Sequence, residues 1–411
     1  MFQNNLLMAA ASISSDTAYT IEYSCRFNRA ATARLTRTNS GTPTDASKGI
    51  VGMWIKRSNL GIATTVFDCA SQAYDMAFQA ADDITGSDHA AQLYVTTQVF
   101  QDPAAWYHIV LSYDSDQEAD GDRNLLYING ERVTAYSYYA FSQTSSGEAW
   151  GLNADSTAQT IGSSNNDLRH WDGYMSQYFL VDGKSIQNGD YSIASFGEFN
   201  NNVWRPIDVS GLTFGTNGYL LDFADSSALG NDISGNDNDW TPDNMAADDQ
   251  VTDTPTNNFC TMSSIDKNTN ITLSDGNLTS TGSGGWHHGR GTLFATSGKW
   301  YYEWTPDSGS YALAGWMTNV GNDHNEEEGD PETAQYRGIG AGLGVTLGNQ
   351  TTITSVASFS VGDVIMMAID IDTGEVWVGV DGTWEDDEDP GAGGTPVGTW
   401  TSFTGTAFTP W

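Results

Sequence analysis

Cationic residues are scarce in this chain: 16 lysines and arginines stand against 52 aspartates and glutamates in 411 residues, a formal net charge of −36. A field of that sign repels phosphate backbones and anionic lipid, which excludes nucleic acid and membrane surfaces as partners. The acid excess itself reads as a solubility device rather than a concentration of catalytic groups. Cysteine is scarcer still. Cys25, Cys69 and Cys260 are odd in number and widely spaced, so they write neither a disulfide framework nor a paired-cysteine zinc site and are expected as small buried residues. No apolar run is long enough to span a bilayer, and the opening MFQNNLLMAAASISS lacks a basic flank, so neither a secretory signal nor membrane insertion is expected there. Apolar residues at helical spacing are missing over any three-turn stretch, and Gly-rich phosphate loops, serine nucleophile elbows and cysteine nucleophiles do not occur.

What the chain does have is glycine, 44 of them, aromatics at 12 per cent, and Ser and Thr throughout. That is the composition of short strands and many turns. From residue 18 to 183 the text runs AYTIEYSCRF, GIVGMWIKRS, TTVFDCA, AQLYVTT, WYHIVLSYD, LLYINGERV, AQTIGSS and WDGYMSQYFLVDG, strands at the spacing of a sandwich. Asn129-Gly130 marks a two-residue hairpin, because both residues accept the positive φ of a type I′ turn. Between 184 and 262 the text shifts to Asn, Asp, Gly and Pro around one strand-like island, GYLLDF, and is expected as a connector packed on the first domain. Strands resume over 263–411, where Asp372, Thr373 and Gly374 join two alternating segments, the second being VWVGVDGTW. The expectation is all-β: two tandem antiparallel β-sandwiches, preceded by an attachment segment at 1–17. In WYHIVLSYD, Trp106 shares one face with His108, Val110 and Ser112, and Trp106 is expected as the buried anchor.

The strands at Trp54, Trp106–Asp114, LLYINGERV and the closing IGSSNNDLRHWDGYMSQYFLVDG, in that order, resemble the concanavalin A-like lectin superfamily in its laminin G form. SGKWYYEWT, GVTLGN and VGDVIMMAIDIDTGEVWVGVDGTW resemble a SPRY domain. The bridge from FGEFNNNVWRPIDVSG to TDTPTNNF is similar to the segment joining these two modules in virion proteins of tailed bacteriophages. The resemblance implies a concanavalin A-like jelly roll, then a SPRY-like sandwich, on a virion surface. Other virion proteins, copies of the chain itself and host-surface polysaccharide are the implied partners. It also implies strands beyond VGVDGTW, for which the remaining text to TSFTGTAFTPW shows no clear pattern, so a neighbouring copy or further sequence is expected to complete that sheet.

Chemistry-bearing residues are few. Asp116, Glu118, Asp120 and Asp122 in DSDQEADGDRN match the start of a calcium loop, but the twelfth position is Tyr127 rather than Glu, which favours a solvated hairpin loop with calcium as the alternative. Two further acidic stretches, at 322–332 and 385–391, read the same way, and the adjacent His287 and His288 point to opposite sides of an extended chain. The strand signature of glycan hydrolases on this fold, Glu-x-Asp-x-Glu, is absent, which sets hydrolysis behind binding. For binding, Trp171, Trp286, Trp316, Tyr336 and Trp384 stand beside Gly-rich or polar turns, where a ring can stack on a sugar face. The expected function is therefore non-enzymatic: a fibre- or appendage-type adhesion protein needing no cofactor. Capsid or tail decoration, in which the sandwiches only pack subunits, is the alternative.

Overall fold

A computed structural model describes residues 19–69, 74–88, 91–140, 144–285, 287–308, 312–320, 333–339, 344–348, 353, 356–401 and 405–410. Their secondary structure is strand with a few single 3-10 turns, in antiparallel sheets. The chain divides into two compact units, one running to Asn258 and the other beginning at Phe259.

In the first unit two eight-stranded sheets face each other. One, the covered sheet, is ordered Glu131–Arg132, Asn124–Ile128, Trp106–Asp114, Lys48–Arg57, Gly173–Asp182, Ser24–Phe27 and Gln250–Val251, with Tyr219–Leu221 also on Gly173–Asp182. The other, the open sheet, is ordered Tyr136–Tyr139, Ala91–Val99, Asp83–Asp88, Tyr74–Phe78, Thr64–Cys69, Ala158–Ile161, Arg34–Thr38 and Thr241–Asp243. Alternation sends Val51, Met53, Ile55, Ile109 and Leu111 inward, where they meet Val66, Met76, Phe78 and Ile84 in one core. All three cysteines are free and buried.

The covered sheet is apolar on its outer side as well. Ile50, Val110, Phe179, Val181 and Leu220 form a second cluster, roofed by Phe196, Val209 and Phe214. Phe196 stacks on Phe179 at 5.3 Å. Phe179 lies so close over Gly52 that a Cβ there would sit 2.2 Å from its ring, which makes glycine obligatory at 52. Further along the same face His108 is held between Trp54, at 4.6 Å, and Trp204, whose Nε1 donates to His108 Nδ1 at 2.9 Å. Beyond it Lys56 Nζ donates to Asp253 Oδ2 and Asn258 Oδ1, each at 2.8 Å, and Trp106 Nε1 donates to Asp253 Oδ1 at 3.0 Å. Trp106 is thus half-buried on the outer side, not in the main core; Ile109 and Leu111 on the other side of that strand take the central place. At the unit's start Ile21 N–H donates to Thr256 Oγ1 and its carbonyl accepts from that hydroxyl, both at 3.0 Å.

The second unit pairs a sheet of Lys299–Trp304, Ile365–Asp370, Glu375–Val380 and Thr383–Trp384 with a core shared by a sheet of Gly344–Leu347, Thr333–Ile339, Ala312–Thr318 and Phe408–Pro410. The missing-strand expectation is corrected here. Gly398–Thr399 pairs with Glu375 and Val376, and Phe408–Pro410 pairs with Trp316–Thr318, so text without clear alternation still returns to both sheets.

Candidate functional site

Burial decides the fate of the five aromatics. Trp171 lies in the first core, 1% exposed and 5.6 Å from Phe78. Trp316 is edge-on to Tyr302 in the second core, and Tyr336 packs on Phe359 while its hydroxyl donates to the Ala357 carbonyl at 2.6 Å. Rings turned inward cannot stack on a ligand, so these three are corrected from binding residues to core. A neighbouring turn marks where the chain reverses, not which way a ring points. Trp286 lies outside the described residues. Trp384 is half-buried at 5.8 Å from Tyr301, whose hydroxyl donates to Glu303 Oε1 at 2.5 Å.

The acidic loop does not converge. Asp116 Oδ2 accepts from Lys48 Nζ at 2.8 Å and from Ser47 Oγ at 2.9 Å, Asp120 pairs with Arg123 at 2.5 Å, and Asp122 pairs with Arg132 at 3.3 Å. Hydrogen bonds from Lys48 and Ser47 hold the Asp116 carboxyl below its ordinary range. Glu118 is exposed. Three carboxylates answer three different cations, which corrects the calcium-loop reading of Asp116, Glu118, Asp120 and Asp122. Among the described residues no group of three or more His, Cys, Asp or Glu side chains is placed to hold a metal ion. His287 faces the Asn270 amide at 3.0 Å while His288 is buried, so this pair too diverges.

Beside that loop the sandwich opens into a cavity of about 350 Å³. It lies where the Asn124–Ile128 and Glu131–Arg132 hairpin of one sheet crosses to Tyr136–Tyr139, the edge strand of the other. Asn129 at φ 49° and Gly130 at φ 81° make the tight turn that reverses the chain there. Tyr136 and Tyr139 form one wall, their ring centres 5.3 Å apart, with Tyr94 edge-on behind Tyr136 at 5.9 Å. Opposite stand Asn124, Arg132, Val133 and Thr134. Gly121 closes one end, and a Cβ there would come within 2.7 Å of the Tyr139 hydroxyl. Tyr139 is 48% exposed. Burial raises both phenols above their ordinary pKa, Tyr139 adding for Tyr136 and Asp122 for Tyr139, so both are neutral hydroxyls at physiological pH. Phenol rings beside a guanidinium and the Thr134 hydroxyl suit a ligand with one apolar face and polar edges, the Asn124 amide being taken up by Tyr74 and Thr144. Sequence reasoning passed over these residues, although three tyrosines in four positions, Tyr136, Tyr138 and Tyr139 around Ser137, were a readable signal on a strand.

A second groove of about 380 Å³ runs over the outer side of the open sheet, between Thr36, Thr38 and Thr160 on the strands and Ser164 and Asn165 in the loop above them. Its two arginines are already paired, Arg34 with Asp243 and with Asp167, which also lines the groove, and Arg37 with Asn39 and Asn238. The groove therefore offers hydroxyls, amides and the half-exposed Asp167 carboxylate.

No family model matches this chain, and no curated protein matches it. Among solved structures it is similar to a candidate carbohydrate-binding protein from Bacteroides ovatus, with 16% identity and a TM-score of 0.38 over 55% of this chain and 59% of that one. It is similar also to the heptameric SAP-like pentraxin of Limulus polyphemus, at 14% identity and TM-score 0.30 over 40% and 77% of the two chains. The mouse laminin α1 LG4-5 pair aligns with 97% of this chain and 84% of its own, at 10% identity and TM-score 0.31. With TM-scores in this range, the architecture rests on the strand pairing described above.

Proposed function

We propose that this chain is a non-enzymatic surface protein of a tailed-bacteriophage virion, an adhesion component of fibre or appendage type whose first sandwich binds host-surface glycan. The observation that carries the binding half is the cavity beside the half-exposed Tyr139, with Arg132 and Thr134 across from it. The bridge between the modules, similar to that of phage virion proteins, supports the virion half, and the high negative charge suits a particle surface exposed to salt. Other virion proteins and copies of this chain are its partners in that reading. Soluble host polysaccharide titrated into the full chain should bind, and Tyr139→Ala should weaken binding about tenfold with an unchanged melting temperature. Equal affinity in the variant removes the cavity from the proposal; no binding to any host glycan removes adhesion.

A second reading, decoration of capsid or tail by subunit packing, is favoured by Phe199 and Val203, 53% and 55% exposed on one hairpin. A cryo-electron microscopy map of the particle separates the two: a copy whose Tyr136–Tyr139 edge faces outward fits adhesion, and one with that edge against a neighbouring subunit fits decoration.

A further inference from the structure

The outer side of the open sheet carries a row of residues set directly opposite one another on five strands: Thr36, Thr160, Asp68, Asp75 and Ser87. Directly opposed residues of antiparallel strands project from the same face with Cβ atoms about 5 Å apart, so the Asp68 and Asp75 carboxylates are neighbours. Both residues are nine-tenths buried or more, at 5% and 6% exposure. Like charges in that arrangement oppose folding unless something of opposite sign lies between them.

The protein supplies little. Asp68 Oδ2 accepts the Asn165 backbone N–H at 2.8 Å, while Asp68 Oδ1 is buried without a hydrogen-bond partner among the described residues. Asp75 Oδ1 accepts from the Ser87 backbone N–H at 3.0 Å and from the Ser87 hydroxyl. Among the described residues Asp75 Oδ2 has the Arg169 guanidinium at 4.0 Å, on a side chain half exposed to water. Asp68 Oδ1 is thus left without a partner and Asp75 Oδ2 with a distant one. Asn165, which caps Asp68, also lines the 380 Å³ groove, so the groove ends beside the pair.

We propose that Asp68 Oδ1 and Asp75 Oδ2 are the carboxylate ligands of a divalent-cation site on the open sheet, of the hard, oxygen-seeking class to which calcium belongs. Two carboxylates neutralise the ion, and water entering from the groove fills further positions in its shell of six to eight oxygens. Burial raises the Asp75 carboxyl above its ordinary pKa and Asp68 adds to it, so a proton is the ion's competitor for the same space. The site is separate from the Tyr136–Tyr139 cavity, and its loss leaves the glycan proposal standing.

The test uses the full chain, stripped with chelator and melted with and without calcium chloride. Calcium at a hundred times its dissociation constant should raise the melting temperature by about 5 to 10 °C. Asp68→Asn and Asp75→Asn should each remove that rise, whereas Asp116→Asn with Asp122→Asn should keep it. A rise that survives the first two substitutions, or one lost with the second pair, overturns the assignment, as does no rise at all. A metal-free chain that loses less stability than Asp75→Asn as pH falls from 7 to 5, with no response to calcium, shows that the pair holds a proton instead. Should the asparagine variants fail to fold, crystals of the unaltered chain soaked in terbium decide: an anomalous peak between Asp68 and Asp75 supports the site, and peaks elsewhere alone refute it.

Discussion

The two sheets of the first unit present the same inner face and opposite outer ones. Behind the covered sheet, Ile50, Val110, Phe179 and Val181 are as apolar as the core, and residues 186–214 lie over them as a third layer. Behind the open sheet the corresponding row is Thr36, Thr160, Asp68, Asp75 and Ser87, and above it lie a short loop and a groove. A strand that is apolar on both sides needs a cover, while one that alternates apolar with polar can face water. One sheet is therefore closed over by an apolar layer, while the other carries a polar outer row that is buried at Thr160, Asp68 and Asp75 and half-buried at Thr36 and Ser87.

The sharpest way to break this comparison is to strip a fastening from the covered side. Lys56 is 1% exposed in its side chain and Asp253 4%, so Asp253→Ala leaves an ammonium buried without its counter-charge and also frees Trp106 Nε1. The expected loss is about 3 to 5 kcal/mol by denaturant unfolding; a loss below about 1 kcal/mol, the range of an exposed pair, would mean that the cover is not integral to the fold.

Acid probes the same face more gently. Burial between two tryptophans lowers His108 to about 3, so the folded protein refuses a proton that the unfolded chain accepts below its ordinary value. The unfolded state then binds more protons throughout the window from about 6.5 down to 3, and stability falls as pH falls across it. Going from pH 7 to 5 should cost about 2 kcal/mol, and His108→Phe, which keeps a ring in the stack, should flatten that part of the profile. An unchanged slope in the variant would place the proton uptake elsewhere.

The smallest effect belongs to the open side, where Thr36→Ala should change stability by no more than about 0.5 kcal/mol in the same unfolding measurement. A larger loss would show that the polar face is covered in solution.

Much of this was readable in advance. The strands, the Asn129-Gly130 turn and the hairpin closed by Gly374 at φ 74° stand where local patterning put them, because both signals act over a few residues. The direction of a face was harder to read. WYHIVLSYD is apolar on both sides, so alternation alone could not say that Ile109 and Leu111 look into the main core while Trp106 and His108 look out at a cover written a hundred residues later. The aromatics failed for a related reason: Trp171, Trp316 and Tyr336 take their surroundings from distant strands. Asp68 and Asp75 look unrelated in TTVFDCA and YDMAF until the register of two strands sets them opposite each other.

The bonds between Ile21 and Thr256 have a mechanical meaning. Ile21 and Thr256, 235 residues apart in sequence, are held side by side, so the sandwich between them adds almost nothing to the distance between those two points. Tension applied through the two ends would fall first on the Ile21–Thr256 bonds and then on the pairings Ser24↔Val251 and Cys25↔Gln250, one after another, in the manner of a zip. Strands peeled one contact at a time give way at far lower force than strands sheared along their length. A chain built this way yields first at its seam, and the loss of those pairings takes Gln250–Val251 off the edge of the covered sheet.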